Sequence, residues 1–130
     1  MKKLFKEYHG KGIYDAGAYK SDEFVSFSRK FKNALKRTFP DCEILKYHTG
    51  HYDIAGFLKK DNKYIYFSFG VPRGGIPMDL TSSSAMHGVL YRLARDDSDW
   101  GGAHSRNHFC NILEMQEAVN ALFEKEEIEA

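Results

Sequence analysis

The run Lys63-Tyr-Ile-Tyr-Phe-Ser-Phe69 constrains the fold more than any other segment. Tyr64, Tyr66 and Ser68 fall on one side of it, and Ile65, Phe67 and Phe69 on the other. That is the period of two that a strand needs to present one apolar face to a core. Lys60-Asp61-Asn62 precedes it and reads as a tight turn, because Asp and Asn tolerate left-handed backbone geometry. Before the turn, Tyr52-Asp-Ile-Ala-Gly-Phe-Leu-Lys59 reads as a second strand. Two strands joined this closely form an antiparallel hairpin. Cys42-Glu-Ile-Leu-Lys-Tyr-His48, broken by Thr49-Gly50, adds a strand ahead of them, giving a three-stranded meander.

Helices flank the meander. Ser21 is a good N-cap, and Asp22 and Glu23 suit the positive end of a helix dipole. Phe24, Phe27, Phe31, Leu35 and Phe39 then recur at steps of three and four until Pro40 stops the helix. A loop follows the meander, Gly70-Val-Pro-Arg-Gly-Gly-Ile-Pro77, because it holds two Pro and three Gly in eight residues. Thr81, Ser82, Ser83 and Ser84 offer caps for a second helix with Met86, Val89, Leu90 and Leu93 as its apolar side, ending in the polar loop Asp96–Gly102. Arg106–Asn111 fits a fourth strand. Asn111 with Glu114 three residues on predicts a capping box and a last helix striped by Met115, Val119, Leu122 and Phe123. Residues 1–20, with Gly10, Gly12 and Gly17, read as an irregular arm, and residues 124–130, with four Glu and one Lys, as an acidic tail. Helices segregated from an antiparallel sheet predict a single α+β domain over residues 1–130, with three to four strands and three helices.

The 130 residues suffice to bury a core without staples. No apolar run approaches the roughly 18 residues that span a bilayer, and Met1-Lys-Lys-Leu-Phe-Lys has no apolar stretch behind it, so no membrane partner is expected and the cytoplasm is the expected compartment. Cys42 and Cys110 form no C-x-x-C pair and no disulfide framework, and Cys110 reads as a small buried hydrophobe. His108, two residues before Cys110, could in principle activate it as a nucleophile, but that spacing does not ensure a hydrogen bond, and no catalytic residue is expected. No cofactor motif is present.

The formal net charge of +1 hides an asymmetry: residues 1–65 hold 14 Lys/Arg and 8 Asp/Glu, residues 66–130 hold 5 and 10. Arg29, Lys30, Lys32, Lys36 and Arg37 concentrate the basic charge on the first helix, five cations in nine residues with no acid among them. Such a face either is merely solvated or steers a charged partner. Tyr64 and Tyr66 on the outward side of the hairpin, and Arg73 in the Pro72-Arg-Gly-Gly75 loop, are candidate anchors for that partner. Two histidine pairs, His48 with His51 and His104 with His108, have spacing that permits a zinc site, without the signature of a finger or a metalloprotease. Asp96, Asp97 and Asp99 lack the glycine and closing glutamate of a calcium loop and fit local ion pairs with Arg92 and Arg95.

Three segments carry a resemblance: Lys6-Glu-Tyr-His-Gly-Lys-Gly-Ile-Tyr14, Gly50-His-Tyr-Asp-Ile-Ala-Gly56 and Tyr66-Phe-Ser-Phe-Gly-Val-Pro-Arg-Gly-Gly75, with an echo at Asn107-His-Phe. They resemble small accessory proteins carried by phages and conjugative elements of gut bacteria. The resemblance implies a context, not a catalytic residue. Proteins of that kind often act on host defence, and inhibitors of CRISPR nucleases are one class of them. The leading expectation is therefore a binding protein, not an enzyme, that blocks a host defence protein or nucleoprotein complex through its charged face. The alternative is a direct DNA- or RNA-binding protein of a mobile element. The third reading is a small metal-dependent hydrolase on His48, His51, His104 and His108. The sequence leaves the oligomeric state open.

Overall fold

The computed structural model describes residues 22–49, 53–70, 89–101 and 107–124. They form helix α1 (Asp22–Thr38), strands β1 (Glu43–Thr49), β2 (Asp53–Lys60), β3 (Lys63–Gly70), β4 (Val89–Ala94) and β5 (His108–Cys110), a single 3-10 turn (Ile112–Glu114) and helix α2 (Met115–Phe123). The fold is α+β: all five strands pair antiparallel with their sequence neighbours, in the order β1-β2-β3-β4-β5. The N-terminal arm, the Gly70–Pro77 loop beyond Gly70, the Thr81–Ser84 caps and the tail after Glu124 lie outside the described residues. No helix among the described residues is long and apolar enough to cross a membrane.

The hairpin follows from its residues. Asp61 takes the left-handed φ of 55° that closes the two-residue turn. Ile65, Phe67 and Phe69 are buried on one face of β3, together with Ile54 and Leu58 of β2 and Val89 and Leu93 of β4. Both helices cover this face. Phe27, Phe31 and Leu35 of α1 and Met115, Val119, Leu122 and Phe123 of α2 complete one core with it, and Phe31 packs on Phe69 with ring centroids 5.4 Å apart. The expected capping box is present: the Asn111 side chain accepts from Leu113 N at 2.8 Å, and Glu114 Oε1 accepts from Asn111 N at 3.0 Å.

The second helix expected around Met86–Leu93 is corrected: Val89–Ala94 is a strand. Val89, Leu90 and Leu93 satisfy a helical period, but Val89, Tyr91 and Leu93 equally satisfy a period of two, and short apolar runs do not separate the two by pattern alone. Pairing decides. Six residues of β4 bond to the free edge of β3, from Tyr64↔Ala94 to Phe69↔Val89. The segment expected as a fourth strand is consequently the fifth, and the described region holds two α-helices.

β1 is irregular. Leu45 pairs with Phe57 and His48 with Ala55, so Lys46 and Tyr47 together oppose Gly56. Lys46 takes φ 51° to accommodate this bulge. A Cβ on Gly56 would lie 3.1 Å from both Leu45 O and Tyr47 Cα, which explains glycine opposite the bulge.

Candidate binding surface

Helical geometry sorts the cations of α1. At about 100° per residue, Phe27, Phe31 and Leu35 define the buried side. Arg29, Lys32 and Lys36 then fall along one flank, and Lys30 and Arg37 along the other. Arg29, Lys30, Lys36 and Arg37 are exposed, and Lys32 is half-buried. Lys32 approaches β1, its Nζ lying 5.4 Å from the centre of the Tyr47 ring. Tyr47 locks the two elements: its hydroxyl donates to Ser28 O at 2.7 Å and lies 3.1 Å from Ser28 Oγ. Burial pushes the Tyr47 phenol up to about 12, against a smaller opposite pull from the Ser28 hydrogen bond. Lys32, Lys36, Pro40, Cys42 and Ile44 line a shallow open groove between α1 and β1.

Among the described residues none of the five α1 cations has an acidic partner; the two ion pairs there are Lys46–Asp97 and Arg92–Asp99. Lys36 and Arg37 do offset the negative end of the helix dipole, a stabilisation of about 0.3–1 kcal/mol each. Arg29/Lys32 and Lys32/Lys36 stand three and four residues apart, where like charges cost about 0.2–0.5 kcal/mol per pair.

Tyr64 and Tyr66 do not join the basic helix. They lie on the opposite face of the sheet, because Ile65 and Phe67 between them face α1 and α2. Tyr66 is also engaged. The buried guanidinium of Arg92 sits 4.8 Å from its ring centre, and the Trp100 ring stands 5.9 Å away at 79°. Trp100 also packs edge-on against Phe57 at 4.7 Å and His48 at 5.1 Å. The loop after β4 thus folds back over the outer sheet face and covers Phe57. Arg92, 2% exposed, holds the loop there by hydrogen-bonding to Asp99 O and by an ion pair to Asp99 Oδ2 at 3.5 Å. A buried guanidinium needs such a partner. Tyr64 is half-buried, with Lys59 Nζ 5.5 Å from its ring centre. Arg73 lies outside the described residues.

The histidines do not converge. His48, on β1, pairs with Ala55 on the outer face of the sheet, whereas His108, on β5, pairs with Tyr91 on the helix-covered face. Their strands are opposite edges of the sheet, four strand spacings or about 19 Å apart along it, too far for one zinc ion. His51 and His104 lie outside the described residues, so the four-histidine centre is excluded by its two described members. Among the described residues no three His, Cys, Asp or Glu side chains are grouped to hold a metal. The oxygens of the Asp96–Asp99 run serve the loop itself. Asp96 Oδ1 accepts from Ser98 N at 2.8 Å and Ser98 Oγ at 2.7 Å, which holds its carboxyl below the usual range. Asp99 Oδ2 accepts from Arg95 N at 3.0 Å. The expected ion pair to Arg92 is present, but on a strand end, not a helix end. Burial raises the Cys110 thiol to about 11 and also raises that of Cys42, the reverse of what a nucleophile needs.

Sequence reasoning missed Trp100, Tyr47 and Ser28. The available signal was one tryptophan directly after three aspartates, but nothing in local spacing says which sheet face a loop will cover. No protein-family model matches the chain, no curated protein matches it, and no solved structure matches its fold.

Proposed function

We propose that this chain is a non-enzymatic binding protein that occupies an anionic surface of a host defence complex, most concretely a CRISPR nuclease, and blocks it. The α1 cations are the contact surface in this reading. One observation carries it: Arg29, Lys32 and Lys36 form an exposed to half-buried flank with no acidic partner among the described residues. Surface charge of this kind accelerates encounter with an oppositely charged partner and sets its salt dependence. The mobile-element context is supplied by the resemblance of the Lys6–Tyr14, Gly50–Gly56 and Tyr66–Gly75 segments. Tyr66 is withdrawn as an anchor, since Arg92 and Trp100 already occupy its ring. That withdrawal also weakens the alternative in which tyrosines stack on nucleic-acid bases.

A plasmid-interference assay tests the proposal. Cells carrying an active type II nuclease lose a targeted plasmid, and expression of the chain is expected to restore its survival. The variant Lys32→Glu/Lys36→Glu/Arg37→Glu is expected to lose protection. Plasmid loss unaffected by well-expressed wild-type chain refutes inhibition of that nuclease. Protection by the reversed variant equal to wild type refutes the role of α1. Tight binding of the purified chain to bare DNA, weakening steeply with salt, would favour the nucleic-acid reading instead.

A further inference from the structure

The two helices carry opposite charge on their outer sides. α1 presents Arg29, Lys30, Lys36 and Arg37, whereas Glu114, Glu117 and Glu124 are exposed along the turn and α2. Residues 112–124 contain no Lys or Arg. Both helices pack on the same sheet face, α1 toward β1 and α2 toward β3 and β4, so the basic and acidic surfaces lie side by side in one layer. A two-fold axis running between the helices, in the plane of contact, brings the basic side of one copy onto the acidic side of another, twice over. Such an isologous contact closes on itself and needs no second patch.

We propose that the helix layer is the interface of a symmetric dimer, with α1 of each copy lying on α2 of the other. Charge complementarity names the occupant as a second copy of this chain. The net charge of +1 leaves almost no overall repulsion to oppose it near pH 7. Two of the exposed large apolar side chains among the described residues, Val25 at 46% and Leu113 at 42%, also belong to this layer. The size of the layer sets the strength. A 17-residue helix is about 25 Å long and a 9-residue helix about 14 Å, so two neighbours cover about 400–500 Å² per copy. A total of about 800–1,000 Å² lies below the standard size and among weak, transient interfaces, so the dimer is weak and salt-sensitive. It buries the same α1 cations that the proposed function assigns to the defence complex, so dimer and partner compete for them.

Sedimentation of nuclease-treated full chain at about 200 µM, in about 30 mM and about 500 mM salt, reads the association. Wild type is expected to dimerise at low salt, with the dimer constant weakened about tenfold or more at high salt. Arg29→Glu/Lys36→Glu/Arg37→Glu makes both helices acidic, and Glu117→Lys/Glu124→Lys makes both basic. All these positions are exposed, so the variants should fold. Each is expected to be monomeric alone, and an equimolar mixture of the two to form heterodimers. Wild type monomeric at low salt, a dimer insensitive to salt, or variants that fail to associate on mixing would each overturn the proposal. A monomeric wild type that still protects plasmids would sink the dimer and leave the proposed function standing.

Discussion

Replacing Tyr47 by Phe removes one hydroxyl and tests how α1 is fastened to the sheet. That hydroxyl donates to Ser28 O at 2.7 Å and lies 3.1 Å from Ser28 Oγ. The Ser28 carbonyl keeps the helical N–H of residue 32, so no buried acceptor is orphaned. The loss at pH 7 is then that of one hydrogen bond, about 1 kcal/mol. High pH reverses the sign. Burial holds the folded phenol up at about 12, above the 10.0 of an exposed tyrosine in the unfolded chain. Between pH 10 and 12 the unfolded chain releases this proton and the folded chain does not, so wild type loses stability as pH rises through that window. The full linkage is about 1.4 kcal/mol per pH unit there, reduced because water still reaches part of the ring. The phenylalanine variant has no such loss, so the two stability curves should cross near pH 11. Urea unfolding of both proteins by circular dichroism at pH 7 and pH 11 gives the comparison, with the other seven tyrosines common to both. A variant as stable as wild type at pH 7, or a difference that does not shrink by pH 11, would refute the lock.

Three other perturbations have expected outcomes. Gly56→Val places side-chain atoms against Leu45 O and Tyr47 Cα, and overpacking the bulge should cost about 2 kcal/mol in urea unfolding; an unchanged midpoint would mean that β1 moves aside freely. Trp100→Ala uncovers Phe57, and since Trp100 is 40% exposed the cost should be about 2 kcal/mol, less than for a fully buried aromatic; near-ultraviolet dichroism should fall with it. Toward an aromatic disulfide reagent at pH 8, Cys42 should react first and Cys110, 7% exposed, only as the chain unfolds; equal rates would contradict the burial of Cys110.

Local order was legible in the residues. The hairpin, the amphipathic α1, the Asn111–Glu114 capping box and the stripe of α2 each rest on interactions within a few positions of one another, and periodicity and capping chemistry record such interactions directly. The charge on α1 was equally legible, because composition on a helix face needs no partner to be read. Tertiary structure alone decided the rest. Val89–Ala94 became a strand because β3 offered a free edge, a condition set by residues twenty or more positions away. Tyr66 was taken from the candidate surface by Trp100 and Arg92, and His48 was parted from His108 by strand order and by the alternation of faces across the sheet. Which side chains meet across a sheet depends on register and on where each loop returns, and neither is written in local sequence spacing.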